Sequence, residues 1–248
     1  MPKGFVEVDG SVIAPRRLVI RVGGLDKDGK THFALTAPGP IAFMNIDRGT
    51  EGVIEKFATE KTIYMTENFR DMPSTTDAEN QKRWKAFHDC HWAALEDKKI
   101  RSIIWDTDTE AWEIARLAKF GRLEKVPPLM YTELNREFRE MIDAAFNHDK
   151  NLILITKNKK QYVKRDADDK GSWNGKYEAS GFTDLPYIVQ ANLRSRLEVG
   201  GAGVKPYIEF INCRQNMALK GSELEGDLAT FPWVASYIID GTSPEDWE

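Results

Sequence analysis

The chain has 248 residues, with 35 Lys and Arg against 39 Asp and Glu, a formal charge of −4 at pH 7 and 41% hydrophobic residues. That balance excludes a protein that is basic over its whole surface, while leaving room for a local basic patch. No apolar run reaches the roughly 20 residues of a membrane-spanning helix, and Cys90 and Cys213 form no spaced motif, so neither a span nor a disulfide framework is expected.

No Pro-, Ser- or Gly-rich linker divides the chain. The expectation is one domain over residues 16–239, an N-terminal extension over 1–15 and an acidic tail over 240–248. The start, Met1-Pro2-Lys3-Gly4-Phe5, lacks the apolar stretch of a signal peptide, which points to the cytoplasm.

The first predicted strand, Arg17 to Val22, leads into Gly24-Leu25-Asp26-Lys27-Asp28-Gly29-Lys30-Thr31, which fits G-x-x-x-x-G-K-[ST] at every position. In such a loop glycines let backbone N–H groups turn onto a phosphate, the lysine reaches the β and γ oxygens, and the hydroxyl of Thr31 serves Mg²⁺. A helix is expected to begin at Thr31-His32-Phe33, which adds His32 to the nucleotide-binding set. ATP and Mg²⁺ are therefore the expected cofactors.

Pro40 to Asp47 reads as a second buried strand, followed by a helix around Glu51 to Ala58 and a short strand near Thr62 to Met65. Thr76-Asp77-Ala78-Glu79 has the form of a capping box, opening a helix whose stripe is Trp84, Phe87, His91 and Leu95. Within it, His88-Asp89-Cys90-His91 contains ligand types but no complete metal set, because Cys90 points away from the two histidines. Ile100 to Asp106 is the next strand. The acid at its carboxyl end, Asp106, is the expected Mg²⁺ partner of Thr31, with Asp108 as a competitor whose other role is a first-turn acid.

A helix striped by Leu134, Phe138, Met141, Ile142, Ala145 and Phe146 precedes a buried strand, Asn151 to Thr156. Short apolar runs alternating with amphipathic helices predict an α/β fold: a mostly parallel sheet with helices on both faces. Near the end, Tyr187 to Leu193 and Pro206 to Asn212, joined by the Gly-rich 199–204 segment, predict an antiparallel hairpin extending the sheet.

The run from Gly24 to Glu55, including Lys30-Thr31-His32-Phe33-Ala34-Leu35 and Asp47-Arg48-Gly49-Thr50-Glu51-Gly52, resembles phage-encoded RecA-like ATPases of the single-strand-annealing or minimal-recombinase type. The similarity continues through Ile103-Ile104-Trp105-Asp106-Thr107 and the strand ending at Thr156, over roughly residues 17 to 215. It implies a RecA-like P-loop core that hydrolyses ATP. It further implies that Asp47, at the tip of the strand after the P-loop helix, orients the attacking water, where RecA itself has Glu; the other role for Asp47 is a helix cap. Asn158 stands where a polar sensor of the γ-phosphate is expected, with Lys157 competing. Asp26 and Asp28 depart from the pattern, since acids pointing into the loop would oppose phosphate.

The resemblance also implies partners. Two segments have the composition of loops that grip single-stranded DNA: Lys119 to Pro128, and the basic run Lys157, Lys159, Lys160, Tyr162, Lys164 and Arg165. Tyr162, Trp173 or Tyr177 could stack on bases, and Gly171, Gly175 and Gly181 favour a mobile loop there. RecA-like proteins assemble into filaments or rings and complete their site with a neighbour's cation. Arg214 is the preferred finger, ahead of Arg194, Arg196, Lys205 and Lys220. A single-strand-binding protein is a further expected partner, and host cytoplasm the location if the gene is phage-borne. The reading is thus an ATPase assisting annealing or recombination, and its rival a nucleotide-gated protein-interaction module without DNA binding.

Overall fold

The computed structural model describes residues 17–123, 125–163, 171–201 and 203–248. Strand β1 (Val19–Gly24) runs into the phosphate loop and the short helix α1 (Lys30–Leu35). Then come β2 (Ile41–Asn45), α2 (Ile54–Ala58), β3 (Ile63–Met65), α3 (Asp77–Glu96) and β4 (Ser102–Asp106). Helices α4 (Asp108–Phe120) and α5 (Tyr131–Asn147) precede β5 (Asn151–Val163) and β6 (Ser172–Ala179). The chain finishes with α6 (Leu185–Ile188), β7 (Ala191–Gly200), β8 (Gly203–Cys213), β9 (Glu223–Glu225), α7 (Phe231–Ile238) and a 3₁₀ turn, Pro244–Trp247.

One sheet collects the strands in the order β3-β2-β4-β5-β1-β7-β8-β9, with β6 paired to β5. From β3 to β7 every pairing is parallel; β7–β8, β8–β9 and β5–β6 are antiparallel. This is the expected α/β architecture, a mostly parallel sheet with an antiparallel hairpin extending it. Parallel strands need cover on both faces, and their apolar runs divide accordingly. Val19, Ile103, Trp105, Leu152 and Leu154 face α3, α4 and α5, meeting Phe87, Ile114, Phe138 and Met141. The alternate residues, Ile20, Val22, Ile104, Ile153 and Ile155, face α1 and α7, meeting Phe33, Leu35, Phe231 and Val234. The expected capping box of α3 forms, with Thr76 and Glu79 exchanging bonds at the helix start.

Three local expectations are corrected. The segment after Thr156 is a strand, not a loop: β5 continues to Val163 and pairs with β6, turning the supposed mobile loop into a β-arm in which the β-favouring Tyr162, Val163, Trp173 and Tyr177 lie. Its described residues include Gly175, held at φ 81 within β6, while Lys164 and Arg165 lie outside the described residues. Tyr187 and Ile188 belong to α6, where Pro186 suits the first turn, so the hairpin begins at Ala191. Lys119 and Phe120 close α4, and that helix of 13 residues carries them about 20 Å from the phosphate-loop end of the sheet.

The last residues pack onto the domain. Trp247 is buried with its ring 6.2 Å from that of Phe231, and its indole donates to Thr242 Oγ1 at 3.1 Å.

Candidate functional site

The phosphate loop keeps its shape because both motif glycines meet a constraint that a side chain would violate. A Cβ on Gly24 would lie 2.6 Å from the carbonyl oxygen of Ser195, and Gly29 sits at φ 80. Lys27, at φ 63, completes the turn. Asp28 folds inward: its Oδ2 accepts from Leu25 N–H at 2.7 Å, while its carbonyl accepts from Ser195 Oγ on β7. Asp26 is exposed on the rim. Lys30 bends back to donate to the Leu25 carbonyl. Burial holds its ammonium below the ordinary lysine value, although Asp28, Asp106 and Asp26 pull the other way.

Opposite the loop, side chains arrive by strand alternation. Ile104 and Ile155 face α1, so Asp106 and Lys157, two residues on, face the same side at the carboxyl end of the sheet. Asp47 joins them beyond β2, fixed by bonds from Ile46 N–H and Asp47 N–H to the Asp106 carbonyl at 2.9 and 2.8 Å. Thr31 Oγ1 donates to Asp106 Oδ2 at 2.8 Å. Burial pushes the Asp106 carboxyl up to about 6; the Thr31 bond opposes this and the charge of Asp47 adds to it.

Lys157 bridges two carboxylates, Asp47 at 2.8 Å and Glu110 at 2.7 Å. Arg70 stands 3.6 Å from the other oxygen of Asp47. Burial raises Asp47, but the Lys157 ammonium, the Arg48 N–H and Arg70 outweigh it and keep the carboxyl below its usual range. The cleft, about 450 Å³, is thus lined by Asp26, Lys30, Thr31, His32, Asp47, Asp106 and Lys157. A cationic floor facing several acids is an arrangement for a polyphosphate and a divalent cation. A model of the AAA domain family matches residues 16–218.

The chain belongs to that family. Among solved structures the AAA domain is similar to the KaiC-like protein PH0186 from the hyperthermophilic archaeon Pyrococcus horikoshii OT3, at 14% identity, 84% coverage of this chain, 83% of that chain and a TM-score of 0.46. It is similar also to the RadB recombinase, at 13% identity, covering 86% of this chain and 87% of that one, with a TM-score of 0.47. No curated protein matches it.

The AAA domain brings Gly24, Leu25, Asp26, Lys27, Asp28, Gly29, Lys30, Thr31, Asp47 and Asp106 around one loop. Asn158 it does not bring: the next residue along β5 from Lys157, it faces the reverse side, where Arg21 Nη2 donates to Asn158 Oδ1 at 3.3 Å. There it lines a second cavity of about 620 Å³ with Arg21, Tyr177, Arg194 and Arg196. Lys157, read both among the DNA-contacting residues and as the competitor of Asn158, lines the first cleft and pairs there with Asp47 and Glu110. Asp108, the competitor of Asp106, is fully buried as a first-turn residue of α4. Burial raises its carboxyl to about 7; the Thr156 hydroxyl and the Arg21 charge lower it, though neither oxygen has a partner at hydrogen-bond geometry.

Arg214 ends up at the opposite end of the sheet, following the last residue of β8, with Nη2 donating to the carbonyls of Tyr187 at 2.6 Å and Ile188 at 3.1 Å. Reaching a neighbour's site would cost both bonds. The other cations of the hairpin are paired: Arg194 with Glu209, Arg196 with Glu198 and Glu223, and Lys205 with Glu225. On the arm, Lys159 lies 3.4 Å from Glu178, whereas Lys160 Nζ stands 5.0 Å over the Trp173 ring. Trp173 meets Tyr177 at 5.9 Å, and Tyr162, Trp173 and Tyr177 are all exposed.

Arg70 and Glu110 were missed by motif reading, and nothing in the spacing of Arg70 marks it. A weak signal exists for Glu110 alone, as the third residue after the helix cap Thr107. Among the described residues no group of three or more His, Cys, Asp or Glu is placed to hold a metal by itself. The Thr31 hydroxyl and Asp106 carboxylate nevertheless fit Mg²⁺, which takes one or two protein oxygens and leaves the rest to phosphate and water. No helix among the described residues is long and apolar enough to cross a membrane.

Proposed function

We propose that this AAA domain binds ATP in the cleft between the phosphate loop and the tips of β2, β4 and β5, hydrolyses it, and couples hydrolysis to single-stranded DNA. The observation that carries the reading is the convergence of Lys30 and Thr31 with Asp106 and Asp47 across one cleft. Lys30 would give up the Leu25 carbonyl for phosphate oxygens. Thr31 and Asp106 would hold Mg²⁺, whose charge, when it is bound, offsets that developing on the phosphates. Asp47 stays ionised at neutral pH and is the group able to orient a water and accept its proton. Lys157, rather than Asn158, is the cation positioned to meet the terminal phosphate, which would draw it from Asp47 and Glu110.

DNA contact is assigned to the β5–β6 arm. Exposed Tyr162, Trp173 and Tyr177 with Lys160 form a stacking surface beside a cation, a combination suited to unpaired bases and their phosphates. Annealing or recombination of strands, carried out by a ring or filament of copies, is the biological role this reading supports. The test is ATP turnover with and without an oligothymidine strand, for the wild type and Lys30→Ala. Turnover should rise with the strand, vanish in the variant, and strand affinity should fall steeply with salt. Turnover indifferent to both changes overturns the reading.

A further inference from the structure

Lys157 stands at a joint in the sheet. Strand β5 pairs with β4 as far as Ile155 and with β1 as far as Lys157, and from Asn158 onward it pairs with β6. The ladder therefore changes partners at the residue whose ammonium meets Asp47 and Glu110. Its backbone is tied there from outside the parallel strands: Lys157 N–H donates to Thr109 Oγ1 at 3.0 Å, and its carbonyl accepts from Ser180 N–H at 2.9 Å. These bonds place the backbone. A further restraint comes through the side chains on either side of Lys157.

Arg21 supplies it from the reverse side of the sheet. Level with Leu154 in the ladder, its side chain runs along β1 over Gly23 and reaches both neighbours of Lys157. Nε donates to Thr156 Oγ1 at 3.0 Å and Nη2 to Asn158 Oδ1 at 3.3 Å. The planar fork of a guanidinium suits two acceptors held a fixed distance apart. In a strand, residues 156 and 158 face one way and 157 the other, so holding the pair from behind holds Lys157 forward. Gly23 makes the reach possible, since a Cβ there would lie 2.9 Å from both Arg21 Nη2 and Asn158 Oδ1. Arg21 is buried, and burial of its charge is costly, with the Asp108 carboxyl as the opposing charge. Two neutral acceptors return little of that cost; what the contact supplies is orientation.

Resting on the reading of Lys157 as the cation for the terminal phosphate, we infer that Arg21 is a positioning residue for ATP turnover, clamping Thr156 and Asn158 so that Lys157 enters the cleft between Asp47 and Glu110. Its action passes through Lys157. Gly23, one residue before the phosphate-loop motif, is the space the clamp occupies.

Steady-state kcat and KM for ATP test the inference in variants that break the clamp while leaving the buried Arg21 in place. Asn158→Leu removes the second acceptor, and Gly23→Ala sets a methyl group against the same contact. Each should lower kcat about tenfold, the rate equivalent of one hydrogen bond, while KM stays within about twofold, because a misdirected Lys157 is missed most in the transition state. Lys157→Met should lower kcat further. Adding either clamp variant to Lys157→Met should then cost nothing more, whereas a merely structural defect, or a direct role for Asn158 at the phosphate, would lower kcat again. Unchanged kcat in both clamp variants, a loss confined to KM, or additive losses in the double variants would overturn the inference. Wild-type kcat in Lys157→Met would bring down the reading of Lys157 itself, and the clamp with it.

Discussion

His91 lies among aromatic rings in the core, with Trp105 at 5.0 Å, and both its nitrogens are committed. A carbonyl can only accept, so Nε2 carries the hydrogen and donates to Met141 O at 2.8 Å; an indole can only donate, so Nδ1 accepts from Trp105 Nε1 at 3.3 Å. The ring is neutral, and burial lowers its pKa to about 4, with His88 and His148 adding to the effect and the Met141 bond opposing it. The unfolded chain binds a proton here below about pH 6.5 and the native chain only below about 4, so this group's contribution to stability falls as pH drops through that window. His91→Gln keeps a donor and an acceptor but does not titrate. Relative to wild type it should gain up to about 1.4 kcal/mol per pH unit between pH 6.5 and 4, read from urea unfolding at several pH values. A constant difference between the two proteins would refute the argument. The same scale shows what a sequence conceals: Lys30 and Thr31 are legible because their spacing is chemistry, whereas Lys157 and Asn158 differ only in the side of the strand they face. That distinction needs the neighbouring strands.

Elements were readable where one period ran unbroken. Helices α3 and α5 and the buried strands lie where their apolar stripes place them, because burial of one face dominates their energetics. The β5–β6 arm was misread because its exposed, Lys-rich half has no buried face to announce a strand, and pairing with β6 alone holds it. Replacing Trp173 and Tyr177 by Ala should therefore leave the melting temperature within a degree or two, since neither ring enters the core. Affinity for single-stranded DNA should fall by about 1–3 kcal/mol per ring lost, measured by fluorescence anisotropy at fixed salt. Undiminished affinity would remove the arm from the DNA reading.

At the scale of the whole molecule, the α1 face of the sheet is closed by the end of the chain. Trp247 is buried against Phe231, and Arg101 Nη1 donates to the backbone carbonyl of Glu248, so residues read as an acidic tail complete a core layer. Acidic composition hid one decisive apolar side chain. Trp247→Ala should destabilise the domain by about 3–5 kcal/mol, measured by urea unfolding, with the loss spread over the α1 and α7 layer. A change below about 1 kcal/mol would mean that the layer closes without it.

Adjacent residues of β5 serve opposite sides of the sheet, Lys157 the phosphate cleft and Asn158 the reverse cavity. Deleting or inserting a single residue in the buried half of that strand would swap them, sending the ammonium to Arg21 and the amide to Asp47. Two residues at once would restore both assignments. The strand thus imposes a parity rule on how this gene can change in length: between Asn151 and Lys157, only even steps leave the two sides in possession of their own side chains.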